Sequence, residues 1–181
     1  TGYRLLATSG SLTRTSAAFS ITAGVATQLS FTVQPVTTTA GVGFTPAVRV
    51  AAQDNLGNTV PSFTGMVTMA IGSNPAGGTL SGTTTVAAVN GVAVFSTLAI
   101  AKAGSGYTLS ATAGTLSPAT SAVFDITPAA ATQLAFTVQP ATTTAGATIT
   151  PAIQVTAREP LGNTATASVG NVTLALTAGT A

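Results

Sequence analysis

The 181 residues contain no cysteine, no histidine and no tryptophan, and only five basic and three acidic side chains. Without cysteine there is no disulfide framework and no thiolate nucleophile or metal ligand. Without histidine the commonest general base near neutral pH is missing as well. Charged residues make up 4% of the chain, against about a quarter in an ordinary globular domain, so its surface must be built from Thr, Ser, Ala, Gly and Asn. The sequence pI near 9.7 reflects scarcity more than a basic patch. Arg4, Arg14, Arg49, Lys102 and Arg158 are scattered, with no run that could track a phosphate backbone, and nucleic acid is excluded as a partner on that ground. No apolar run approaches the ~20 residues needed to span a bilayer, and no signal peptide is expected within these residues.

What is present is a chain that should fold. Hydrophobic residues make up 45% of it, which is not the composition of a disordered segment. The stretch Ala26–Pro35, ATQLSFTVQP, returns as Ala131–Pro140, ATQLAFTVQP, so the chain is a repeat array with a period of about 105 residues, the size of one small sandwich domain. Leu29, Phe31 and Val33, and likewise Leu134, Phe136 and Val138, fall at every second position, the pattern of a strand with one buried face.

Three pieces follow from the repeat. Residues 1–22 match the end of a module: TGYRLLATSG answers Ser105–Gly114, and SAAFSIT answers Ser121–Thr127, giving its last two strands. Residues 26–127 form the one complete module. Residues 131–181 repeat its first half and run to NVTLALTAGTA, the counterpart of the strand MVTMAI at Met66–Ile71. The joints Ala23–Val25 and Pro128–Ala130 are short enough to restrict the angle between modules, which predicts a rod. Because neither end is a whole module, a window onto a longer continuous array is the expectation. The competing arrangement joins residues 131–181 of one chain to residues 1–22 of the next by strand addition.

Inside the complete module, Asp54-Asn55-Leu56-Gly57-Asn58 reads as a tight turn in which Gly57 takes positive φ and Asp54 caps backbone amides. Asn90-Gly91 is the strongest hairpin signal, flanked by Thr83–Val89 and Val92–Leu98 as strands. Phe95 and Leu98 differ in parity, so either a bulge lies between them or the strand has ended by Thr97. A short fourth strand is expected near Thr79–Ser81, and Tyr107 suits either a corner position, where the ring packs in the core and the hydroxyl bonds backbone, or equally a partly buried aromatic with no special bond. Short strands at turn-separated intervals with no helical period predict an all-β fold of tandem antiparallel β-sandwiches, one complete module flanked by two partial ones.

Val50, Asp54, Gly57, Asn58 and Val60, with the Asn-Gly turn and GYTLSATA, resemble the bacterial Ig-like repeats of invasin- and intimin-type surface proteins, the Big family. The resemblance spans the whole chain and implies an Ig-like fold and the role of an extracellular spacer or adhesin stalk. The absence of cysteine suits a prokaryotic cell surface better than an animal extracellular Ig domain. The third copy departs from the pattern at Glu159-Pro160, so any role of Asp54 beyond the turn would not be shared there.

No catalytic, cofactor-binding or metal-binding residue is assigned, and no enzyme is expected. A carboxylate pair within one module would have to join Asp54 to Asp125, which read instead as a turn cap and an outward strand residue. Calcium at Asp54, Asn55 and Asn58 would rest on a single carboxylate. Lys102, the only lysine, reads as a solvated loop residue and not as an isopeptide partner. The sequon Asn171-Val172-Thr173 falls in an expected strand, and Thr37–Thr39 and Thr142–Thr144 read as β-branched filler that could also carry sugars. A rod so poor in charge is suited to packing against copies of itself, end to end or laterally, in a filament, surface layer or adhesin stalk. The alternative, a glycan- or receptor-binding module, predicts exposed aromatics. With Phe19, Phe31, Phe95, Phe124 and Phe136 expected inward, Phe44 and Phe63 are the loop residues that test it.

Overall fold

The computed structural model describes residues 2–177, which hold sixteen strands and no helix. The fold is all-β. In the first copy β1 (Leu6–Ser9) and β2 (Leu12–Thr15) form an antiparallel hairpin around Gly10, with Tyr3 bridged to Phe19. The last strand expected at residues 16–22 keeps only that bridge. Of the strands that flank its counterpart in the middle copy, this copy contains only the residues matching Ser105–Tyr107.

The middle copy contains β3 (Gln28–Val33), β4 (Thr38–Thr39), β5 (Val48–Gln53), β6 (Met66–Ile71), β7 (Leu80–Ser81), β8 (Thr85–Ala87) and β9 (Val92–Phe95). It continues through β10 (Ala99–Ile100), β11 (Gly104–Tyr107), β12 (Leu109–Thr112), β13 (Ala119–Thr120) and β14 (Phe124–Thr127). One sheet runs β3-β5-β9 and another β13-β12-β6-β8. Alternation sets which face each strand buries: Val67 and Met69 of β6 are buried while Met66, Thr68 and Ala70 face outward. Val48, Val50 and Phe95 from one sheet and Val67, Met69, Leu109 and Ala111 from the other join one continuous core. Two sheets sharing that core make a β-sandwich. Each fully buried Val, Leu or Phe contributes roughly 1.5–3 kcal/mol relative to an exposed one.

Two local expectations need correction. Asn90 and Gly91 have φ of 50° and 79°, the turn their sequence predicts, but they do not join a hairpin. Only Val89 and Val92 exchange bonds across the turn; β8 then pairs with β6 and β9 with β5, so the turn carries the chain from one sheet to the other. Local sequence sets the turn, whereas the partners of each strand are set by which face it must bury. Secondly, Thr38–Thr39 is not only turn filler. As β4 it pairs in parallel with β14, whose other neighbour is β11; the remaining strand pairs among the described residues are antiparallel, and an isolated parallel bridge joins Gln28 to Ser117. Of the two readings of the Phe95–Leu98 parity change, the strand ending by Thr97 is the one observed: β9 ends at Phe95 and the chain bends before β10, so both side chains are buried.

In the third copy β15 (Gln133–Val138) pairs with β16 (Gln154–Arg158) in the register of β3 with β5. The strand expected within Asn171–Ala181 is not formed over residues 171–177, and 178–181 lie outside the described residues. Its middle-copy counterpart, β6, is held between β12 and β8, and the third copy contains no equivalents of these two. For the same reason the inward assignment of Phe19 and Phe136 fails: they are 41% and 47% exposed, whereas Phe124, the counterpart of Phe19, is 3% exposed.

Candidate functional site

The Asp54–Asn58 turn and its repeat at Glu159–Asn163 are densely bonded polar features. Gly57 and Gly162 sit at φ of 82° and 84°, the left-handed conformation that lets each turn close. In the first turn Asp54 N–H donates to Asn58 O and Gly57 N–H to Asp54 O; in the second Glu159 N–H donates to Asn163 O and Gly162 N–H to Glu159 O. The carboxylates cap the same amides. Asp54 Oδ1 accepts from Leu56 N–H at 3.0 Å and Asn58 N–H at 2.9 Å. Glu159 accepts from Leu161 N–H at 2.9 Å and Asn163 N–H at 2.8 Å. The change from Asp-Asn to Glu-Pro therefore leaves the turn intact, with the longer side chain reaching the same donors.

Each turn lies at a joint between copies. Gly24 N–H, in the linker entering the middle copy, donates to Asp54 Oδ2 at 2.9 Å. At the next joint Asn163 reaches back across the linker: its Nδ2 donates to Ala101 O at 2.8 Å, and its Oδ1 accepts from Ala103 N–H at 3.0 Å. Leu161 lies over Gly41, where a β-carbon would stand 2.8 Å from Leu161 Cδ1. Gly41 has φ of 77° and its N–H donates to Ile100 O, so the turn of the middle copy is itself tied to the strand leading into Ala101 and Ala103. Asn163 and Glu159 are buried at this joint.

Both carboxylates are held in the ionised form. The Gly24 amide, followed by the Asn58 side chain, outweighs burial and brings Asp54 down from 3.8 to about 2. Leu161 N–H, against burial and with help from Asn163, lowers Glu159.

No protein-family model matches the chain, and no curated protein matches it. Among solved structures it is similar to domains 4–9 of the surface layer protein SbsC, with 18% identity and a TM-score of 0.42, over 90% of this chain and 24% of that one. The chain thus spans about a quarter of that solved chain, and likeness at this level assigns neither family nor ligand.

The remaining sequence candidates are dispersed. Asp125 accepts from Gly106 N–H and Asp54 from its own turn and linker, so different backbone segments engage the two carboxylates. The Asp54 carboxylate faces N–H donors on both oxygens, a donor set that opposes a calcium ion, which needs oxygen ligands. Lys102 is exposed. Tyr107 is fully buried, and its hydroxyl donates to Lys102 O at 3.0 Å while burial raises its pKa. Phe44 is buried edge-on against Phe124, and Phe63 packs on the core, so neither presents an aromatic platform. Asn171 is exposed in irregular chain and not in a strand. Thr37 Oγ1 accepts from Asp125 N–H, while Thr142–Thr144 are exposed.

Sequence reasoning missed Asn163, Gly41 and Ser121. Ser121 Oγ accepts from Leu109 N–H and donates to Ala122 O, and Ser16 repeats both bonds with Leu5 and Ala17. The signal was their recurrence: Ser16 with Ser121, and Asn58 with Asn163, occupy matched places in the repeat.

Proposed function

We propose that the chain is a run of structural repeats from a prokaryotic cell-surface or extracellular assembly, a filament, surface layer or adhesin stalk, in which it serves as a rigid spacer that associates with copies of itself. The observation that carries this reading is the joint: Asn163 is bonded to both Ala101 and Ala103. Together with Leu161 on Gly41 it links successive copies by side-chain contacts and not by a slack tether. Repetition supplies reach and the bonded joints supply stiffness. The resemblance to bacterial Ig-like repeats supports the same reading, as does a chain with only 4% charged residues, which suits packing against like surfaces. No helix among the described residues is long and apolar enough to cross a membrane.

The glycan- or receptor-binding alternative loses its candidates in Phe44 and Phe63, and the exposed Tyr3–Phe19 pair occupies the places of the core pair Tyr107–Phe124. The reading assigns no catalysis. Electron microscopy of the native assembly tests it: straight, regularly repeating rods or a lattice are expected, and isolated globular particles would overturn it.

A further inference from the structure

Leu56 and Asn58 repeat the positions of Leu161 and Asn163, in a turn with the same backbone bonds and the same carboxylate cap. Their surroundings differ. Leu161 is 53% exposed on Gly41 while Leu56 is 81% exposed, and Asn163 is 4% exposed while Asn58 is on the surface. Asn58 Nδ2 is occupied by Asp54, but its Oδ1 accepts no bond among the described residues, whereas Asn163 Oδ1 holds Ala103 N–H. The Asp54 cap thus holds Leu56 and Asn58 in the pose that engages a neighbouring copy one repeat further on.

We propose that Leu56 and Asn58 form a docking seat for another copy of the module, placed ahead of the middle copy in series. Leu56 covers that copy's Gly41-type turn, and Asn58 Oδ1 takes the N–H of its Ala103-type residue. The occupant is assigned by the second joint, where the same two positions already hold those two features of the middle copy. The features on the receiving side are specific: a glycine at positive φ, since any β-carbon would meet the leucine, and a loop offering one carbonyl and one N–H two residues apart. The seat deepens the rigid-spacer reading and rests on it, because it makes one joint geometry the rule for every step of the array.

Cysteine trapping tests it in a chain that has no cysteine of its own. Residues 26–104 are spliced ahead of Thr1 of the full chain, which supplies the missing first part of the leading module, since Thr1 matches Ser105. The test pair is Ala101→Cys in the spliced copy with Asn58→Cys. The calibrating pair, Ala101→Cys with Asn163→Cys, is placed in the unextended chain across the joint already described. Disulfide formation in the test pair at a rate within about threefold of the calibrating pair is expected. Trapping at least tenfold slower than a calibrating pair that does form overturns the seat and leaves the spacer reading standing. Failure of the calibrating pair itself overturns both.

Discussion

Leu161 and Gly41 meet across the joint between two copies, with a β-carbon on the glycine falling 2.8 Å from Leu161 Cδ1. Gly41→Val should therefore act in two ways. At φ of 77° a branched side chain costs about 1–2 kcal/mol or more of middle-copy stability, and it also displaces Leu161. Leu161→Ala should loosen the joint without destabilising the middle copy. Differential scanning calorimetry with small-angle scattering separates the two: both variants broaden the scattering profile, and only the glycine variant lowers the main transition.

Asn163→Ala removes bonds to Ala101, Ala103 and Glu159 from a buried position. A loss of about 1–3 kcal/mol in local stability is expected, since the buried Glu159 carboxylate loses a donor while Ala101 and Ala103 lie nearer to water. Asn58→Ala, at an exposed position, should cost about 1 kcal/mol or less. Amide exchange reads this directly: Ala103 N–H should exchange at least tenfold faster in the first variant and unchanged in the second.

Acid should weaken the Asp54 turn within a defined window. The unfolded carboxylate titrates near 3.8 and the folded one at about 2, so between those values the unfolded chain binds more protons and stability falls as pH falls. The contribution is fully present above about pH 5, and Glu159 moves in the same direction. Urea midpoints measured from pH 6 to 2 should decline below about pH 4, and Asp54→Asn should flatten that decline.

Gly57→Ala and Gly91→Ala separate backbone strain from close approach. Both glycines lie at φ near 80°, but a β-carbon at position 57 meets nothing within 4 Å, whereas at 91 it collides with the Val60 carbonyl oxygen. The first should cost about 1 kcal/mol. The second should prevent folding of the middle copy, as judged by loss of β-sheet circular dichroism and of soluble yield.

The strands that alternate within one sheet were legible: Val67 and Met69, and Val48 and Val50, face the core as their spacing requires. So were the Asp54 turn and the left-handed Gly57, because each depends on chemistry within a few residues. What was not legible depends on distant partners. Asn90-Gly91 has the local form of a hairpin, yet its flanking strands serve different sheets. Thr38–Thr39 becomes a strand only because β14 offers an edge to it. Phe19 and Phe136 carry core spacing but remain exposed, since burial requires an opposite sheet that residues 2–22 and 131–177 do not supply. Asn163 was readable as a turn residue, while its bonds to Ala101 and Ala103 appear only once two copies are placed end to end.

The central claim is that successive copies are held at a fixed angle by their own side chains. Backbone 15N relaxation over residues 26–127 and 131–166 of the full chain measures it most directly. One shared rotational diffusion tensor for both segments is predicted; separate, faster tumbling of residues 131–166 would contradict the account.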